Sequence, residues 1–359
     1  MARALASSVV VVGTSDGGLE ILKSLVAQLP EDFPAPIFVV QHMAADTDGE
    51  ALLQALERNS PLPVTRARSG ERFRTGHIYL APPDHHMLVG KGRIKVTKGA
   101  RENRQRPAID PLFRSAAVAY GSRVIGIVLS GYLDDGTAGL AAIQRCGGTC
   151  IVQDPADAAY ADMPLNALAQ LDPDYCVPVL EMGAILTKVV QQKRGKNGTP
   201  PRDILVEARV AEHVLSDLPS VQSVGDQVPF NCPGCGGVLW EIKQGKSLRY
   251  RCHTGHAFTA PVLLAEQEAK VEETLWIALR MFEERRNLLL KMASFQKEPP
   301  RREGHPEGGN RPIFASAALR AKDAEDHIGR IRDMLKGSTE GPTGPKRKRR
   351  KPMVTVKKR

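Results

Sequence analysis

The 359-residue chain is poor in cysteine, with six, and in aromatic residues, which make up 5 %. So few thiols over such a length cannot staple a small secreted scaffold, and they are expected to be reduced. No apolar run approaches the ~18 residues of a membrane helix. The first apolar run, residues 9–12, stops at Gly13, too early for the core of a secretory leader. These absences together give the expectation of a cytoplasmic protein. A uniformly basic surface is missing too. The net charge is +10, yet residues 1–190 carry 18 basic and 20 acidic side chains, while residues 346–359 carry nine basic and none acidic. This excludes a body lined throughout for nucleic acid and leaves a near-neutral body with a basic tail. What is present is a 42 % apolar fraction, enough for a sizeable core and about two domains.

Residues 1–190 alternate short apolar runs with helical patterns. The runs 8–12, 37–41, 77–81, 124–130 and 149–153 read as strands, and 19–29, 50–59, 110–120 and 138–146 as helices. Residues 93–96 suggest a hairpin added to the same sheet. The alternation predicts an α/β fold with a largely parallel, doubly wound sheet. Residues 191–228 read as a linker and 229–260 as a small Cys/His module. Residues 261–336 read as a helical hairpin and 337–359 as a disordered basic tail.

The strongest local pattern is Gly13-Thr14-Ser15-Asp16-Gly17, which satisfies G-x-S-x-G between a strand and a helix. Such a turn exposes a serine hydroxyl, and the helix N-terminus behind it offers N–H groups to a developing oxyanion. The bland alternative is a serine that only caps the helix. A base and a carboxylate are available from other strand ends. His42 closes the second strand, and Asp135 follows the strand that begins near residue 124. Carboxyl ends of parallel strands converge on one edge, so Ser15, His42 and Asp135 can serve as nucleophile, base and orienting acid. His85, His86, Asp84 and Asp134 reach the same edge and compete for these roles.

Residues 8–185 resemble the catalytic domain of chemotaxis protein-glutamate methylesterases of the CheB type. The matching segments are VVVVGTSDGG, VVQHM, HIYLAPPDHHMLV, RPAIDPLFRSAA, VIGIVLSGYLDDGTAG and Met163-Pro164. The resemblance places the triad on Ser15, His42 and Asp135, with Thr14, Asp16, Gly17 and Tyr132 around the oxyanion and substrate. It implies hydrolysis of glutamyl γ-methyl esters on chemoreceptors, together with deamidation of particular glutamines, and no catalytic cofactor. Two positions depart from the family pattern. Asp16 stands where Thr or Ala is usual after the nucleophile. Gly131-Tyr132-Leu133 replaces Gly-Met-Gly before the acid. The catalytic strand begins by about residue 8, so no N-terminal receiver domain is expected. A weakened catalytic domain acting as scaffold or adaptor is the alternative.

Residues 230–258 hold Cys232 and Cys235 as C-x₂-C, then Cys252 and His256 as C-x₃-H. Two close pairs of N/S donors suit structural zinc, with short strands at VLWEI and LRYRC. His253 is a spare donor, and Cys146, Cys150 and Cys176 read as small core residues. The module's Lys243, Lys246, Arg249 and Arg251 are too few to predict specific nucleic-acid binding. In the helical stretch, Leu264, Val271, Leu275, Ala278 and Phe282 are expected to share one buried face. The tail KRKRRKPMVTVKKR is either solvated or in weak contact with an anionic membrane.

Overall fold

The computed structural model describes residues 8–192, 198–212, 218–242, 248–297 and 316–339. β1 (Val9–Thr14), α1 (Gly18–Ala27), β2 (Pro36–Gln41) and α2 (Glu50–Asn59) open the fold. They are followed by β3 (Val64–Arg66), β4 (His77–Leu80), β5 (His86–Val89) and β6 (Ile94–Thr97). Next come α3 (Ile109–Tyr120), β7 (Val124–Val128), α4 (Thr137–Arg145), β8 (Thr149–Gln153), α5 (Asp162–Gln170), β9 (Tyr175–Val177) and α6 (Val179–Val190). Seven of these strands form a parallel sheet in the order β3-β4-β2-β1-β7-β8-β9.

β1 shows why the strand sequence is continuously apolar. Val9 and Val11 pack on one face with Ile109 and Phe113 of α3, while Val10 and Val12 pack on the other with Leu22 of α1 and Met182 of α6. Helices on both faces leave no polar side for the strand. Each fully buried valine stabilises the fold by roughly 1.5–3 kcal/mol. β2 pairs with one edge of β1 and β7 with the other, so the chain reverses its direction of winding at β1. That switch point opens a crevice at the carboxyl ends of these strands.

Three expectations change before the long helix is reached. The residues 93–96 do not join the main sheet: β5 and β6 form a separate two-stranded antiparallel ribbon. Part of the expected linker is ordered as α7 (Arg202–Glu212), because Ile204, Ala208 and Ala211 give it a buried face and its Asp203 and Glu207 are buried in ion pairs. The Cys/His segment also packs into the same compact unit as the large sheet, Met1–Ala265. Its four strands, β10 (Gly225–Asn231), β11 (Val238–Ile242), β12 (Arg249–Cys252) and β13 (Ala257–Thr259), form an antiparallel sheet. Partly buried Arg249 and fully buried Arg251 reach out of it to Glu207 and Glu102.

A long helix, Ala260–Lys297, leads into the second unit, where the helix Ala317–Thr339 packs back against it. Leu279 meets Ile328, Ile331 and Leu335, while Leu289 meets Ala317 and Ala321, which makes the pair antiparallel. The buried stripe differs from the expected one. Leu275, Ala278 and Phe282 pack inward, but Leu264 and Val271 are 57 % and 59 % exposed, because the returning helix covers only the later turns. Of the tail expected over 337–359, residues 337–339 belong to the returning helix, and the rest lies outside the described residues. No described helix is long and apolar enough to cross a membrane.

Candidate active site

Ser15 stands directly after β1, where the chain turns into α1. Gly17 makes this turn at φ +75°, a conformation that strains side-chain-bearing residues. Its neighbourhood is also full: a Cβ at Gly17 would fall 2.9 Å from Ala159 Cβ. Thr14 is buried and donates from Oγ1 to the Ser130 carbonyl at 2.9 Å, and the Ser15 N–H donates to the same carbonyl at 2.9 Å. These bonds tie the Ser15 turn to the segment following β7. Ser15 is 6 % exposed. Its hydroxyl donates to Asp16 Oδ2 at 3.2 Å, and Asp16 itself is exposed.

His42 follows β2, its backbone held by Thr14 O at 3.0 Å. The Gln41 side chain donates to Ser15 O at 2.8 Å and His42 O at 3.0 Å, joining the two turns. His42 Nε2 lies 2.7 Å from Asp135 Oδ2. An ionised carboxylate only accepts, so Nε2 is the donor and Nδ1 is the ring nitrogen left for proton transfer.

Asp135 is 2 % exposed and heavily hydrogen-bonded. Oδ2 also accepts from Ile109 N–H at 2.7 Å, and Oδ1 accepts from Asn103 Nδ2 and Gly136 N–H, both at 3.0 Å. Burial alone would push its pKa up. The bond and charge of His42, with the Ile109 and Asn103 donors, reverse that and hold it below the ordinary carboxylate value. Nearby Asp110 behaves oppositely: burial and the Asp135 charge push it up to about 7. Burial likewise raises Asp134 to about 6, although Thr259 donates to it.

The competitors are occupied elsewhere. His86 is buried between Ala100 O and the Ala108 N–H, and His85 Nδ1 bonds Pro83 O. Asp84 is held at about 2 by hydrogen bonds from Lys98 and Arg106. Asp134 points its carboxylate at Thr259 and not at His42. Geometry therefore separates Asp135 from Asp134, which sequence position alone left equivalent.

At position 133 the turn before Asp135 keeps a backbone shape that suits glycine, with a leucine in that place. Leu133 adopts φ +61°. Gly131 lies against Ser15, since a Cβ there would fall 2.6 Å from Ser15 Cβ. The Tyr132 side chain is 50 % exposed and packs against Tyr160 as a tilted pair, ring centroids 4.5 Å apart and planes at 52°. Among the described residues, the N–H groups of Asp16 and Tyr132 have no hydrogen-bond partner. They are the donors available for a negatively charged oxygen beside Ser15.

Sequence reasoning missed Asn103. It lies in a loop at φ +49°, is 4 % exposed, and bridges Asp135 and Asp110 at 3.0 and 3.1 Å. No periodicity or motif marks it, because its role arises only where the loop crosses the acid.

The second group of chemical interest is Cys232, Cys235, Cys252 and His256. Their donor atoms all lie within 4.8 Å of one another. Cys252 Sγ is 3.7 Å from Cys235 Sγ and 3.6 Å from His256 Nδ1, spacings that four tetrahedral ligands around one metal would show. Two glycine turns, Gly236 at φ +73° and Gly255 at φ +103°, shape the knuckles. Hydrogen bonds from Cys232 and His256 lower the Cys252 thiol, so the group favours an anionic sulfur. His253 is not in this group.

Residues 10–186 match the family described as CheB methylesterase. A Leptospira interrogans protein named "Putative protein-glutamate methylesterase/protein-glutamine glutaminase" is 35 % identical over 183 residues, covering 51 % of this chain and 94 % of the relative. Protein-glutamate methylesterase/protein-glutamine glutaminase 2 of Anaeromyxobacter dehalogenans is 38 % identical over 190 residues, and the chain spans 55 % of its length. The crystal structure of the Thermotoga maritima CheB methylesterase catalytic domain is similar with a TM-score of 0.50 and 33 % identity, over 52 % of this chain and 100 % of that one. The family match ends before the Cys/His segment.

Proposed function

Because the chain belongs to the CheB methylesterase family, we propose that it hydrolyses γ-methyl esters of protein glutamates by acyl transfer through Ser15. The observation that carries this reading is the His42–Asp135 bond of 2.7 Å at the sheet edge that also presents Ser15. His42 Nδ1 takes the Ser15 proton as Oγ attacks the ester carbonyl. The N–H groups of Asp16 and Tyr132 receive the oxyanion, with Thr14 and Gly17 holding the nucleophile turn. Collapse breaks the carbon–methoxy bond, and the proton on His42 leaves with the alkoxide as methanol. Water, deprotonated by His42, then attacks the acyl-serine and restores glutamate and the Ser15 hydroxyl. Asp135 stays ionised and stabilises the imidazolium formed twice in this cycle. A glutamine amide would follow the same path with ammonia as leaving group. No step calls for a cofactor.

The substrate is read as the glutamyl esters of cytoplasmic chemoreceptor helices, which also places the protein in the cytoplasm. The Cys/His group is read as a structural zinc site. Its four donors would fill a tetrahedral shell and leave no position for catalysis. The test is methanol release from methylated receptor. The wild-type chain should release it and Ser15→Ala should not; undiminished release by Ser15→Ala removes the triad assignment. For the metal, purified protein should carry about one zinc per chain, lost in Cys232→Ser. Retention of zinc by that variant overturns the site.

A further inference from the structure

The Cys/His group does not stand apart from the candidate catalytic acid. Cys252 and His256 close the turn between β12 and β13, with the Cys252 N–H donating to His256 O at 2.9 Å. Three residues beyond His256, β13 ends at Thr259, which is 1 % exposed. Thr259 makes two bonds to the catalytic region. Its N–H donates to Asn103 Oδ1 at 3.1 Å, and its hydroxyl donates to Asp134 Oδ1 at 2.8 Å. Asn103 in turn donates to Asp135 Oδ1 at 3.0 Å. The Asn103 backbone is tied to the same strand, donating to Ala257 O at 2.8 Å.

Packing and charge follow the same route. Leu133, in the strained turn before the acid, packs against the apolar core formed by Cys232, Leu239, Tyr250, Cys252 and Phe258. A side chain there holds the turn only if that core is closed. Buried Arg251 bonds Glu102, the residue before Asn103, at 3.1 Å. The acid is therefore gripped from both sides by groups that depend on the β12–β13 hairpin: Asn103 on Asp135, and Thr259 with Leu133 on the preceding turn.

We propose that Thr259 and Asn103 are positioning residues for Asp135, and that metal closure of the Cys232–Cys235–Cys252–His256 knuckle sets the reactivity of Ser15 through them. This rests on the triad reading above. It adds a control that the acyl-transfer chemistry itself does not need.

The experiment uses the full chain and a fluorophosphonate probe that labels an activated serine. The limiting labelling rate and the half-saturating probe concentration are measured separately, with zinc content and amide exchange at residues 131–136 recorded in parallel. Asn103→Ala should lower the limiting rate about 10- to 100-fold, the scale of one hydrogen bond to a charged group, without changing half-saturation or zinc content. Thr259→Val should fall in the same direction, and Thr259→Ser should recover. Stripping zinc from the wild-type chain should slow labelling and speed exchange at 131–136, and zinc addition should reverse both. Wild-type rates in both Asn103→Ala and Thr259→Val, or a zinc-stripped chain that labels and exchanges as before, overturn the proposal. Failure of the wild-type chain to label Ser15 instead strikes the triad reading and takes this one with it.

Discussion

Asp16 puts a formal negative charge beside the nucleophile, and its removal should accelerate the enzyme. The Asp16 carboxylate lies 3.2 Å from Ser15 Oγ. A separation of about 4 Å between that carboxylate and an oxyanion on the acyl carbon is taken to set the scale of the repulsion. Two unit charges at that distance interact by about 1 kcal/mol in water and about 4 kcal/mol at an effective dielectric of 20. Asp16 is exposed, so the penalty belongs near the lower end, about 1–2 kcal/mol. Asp16→Asn keeps an oxygen that accepts the Ser15 hydroxyl and removes only the charge. The variant should hydrolyse a soluble glutamyl methyl ester about 5- to 30-fold faster than wild type at low ionic strength. The gap should narrow toward 1 M salt, where screening acts within about 3 Å. The assay is methanol release at two salt concentrations. An equal or slower rate in Asp16→Asn, or a gain indifferent to salt, would refute the electrostatic argument.

Other consequences concern the buried carboxylates and the exposed tyrosine. Glu207 meets Arg249 and Arg251 in the interior. Glu207→Ala takes from Arg249 its carboxylate partner and leaves buried Arg251 with Glu102 alone, and should cost about 3–5 kcal/mol in denaturant unfolding. Asp134 is raised from 3.8 to about 6 in the folded chain. Between those values the native state holds a proton that the unfolded chain has lost. Its contribution therefore falls as pH rises through that window, by on the order of 3 kcal/mol. Urea midpoints compared at pH 4.5 and 7 should show a smaller decline in Asp134→Asn than in wild type. Tyr132→Ala removes a half-exposed ring from a tilted aromatic pair but leaves the backbone donor, so hydrolysis of a small ester should change by less than about tenfold, as expected from losing one aromatic pair. A much larger loss in its kcat would mean that the side chain itself takes part.

Much of the fold was legible because strands buried on both faces have an unmistakable composition. VVVVG, IFVVQ and TCIVQ leave little choice, and β8 keeps the bounds read from the sequence, 149–153. β3 and β9 escaped because three residues at a sheet edge carry no periodicity. α7 was hidden by the Lys, Gly and Pro residues ahead of it, and its buried Glu207 reads from sequence as a solvent-facing charge. The apolar stripe of the long helix was traced over too many turns, since periodicity reports an amphipathic face but not how far a partner helix extends.

The residues with intrinsic chemistry announced themselves: a serine in a glycine turn, a histidine closing a strand, an acid after another strand, and two close pairs of Cys/His donors. Local spacing and side-chain type are sufficient for that, because strand ends must converge and close donor pairs need only a short turn. What required the tertiary structure was selection and support. Asp135 differs from Asp134 only in which neighbour each carboxylate meets, and Asn103 acquires a role only because a loop crosses the acid. Thr259 lies 124 residues from Asp135 in the chain yet is linked to it through one side chain. Long-range hydrogen bonds have no sequence period, so the path from the Cys/His knuckle to the acid exists only in the folded molecule.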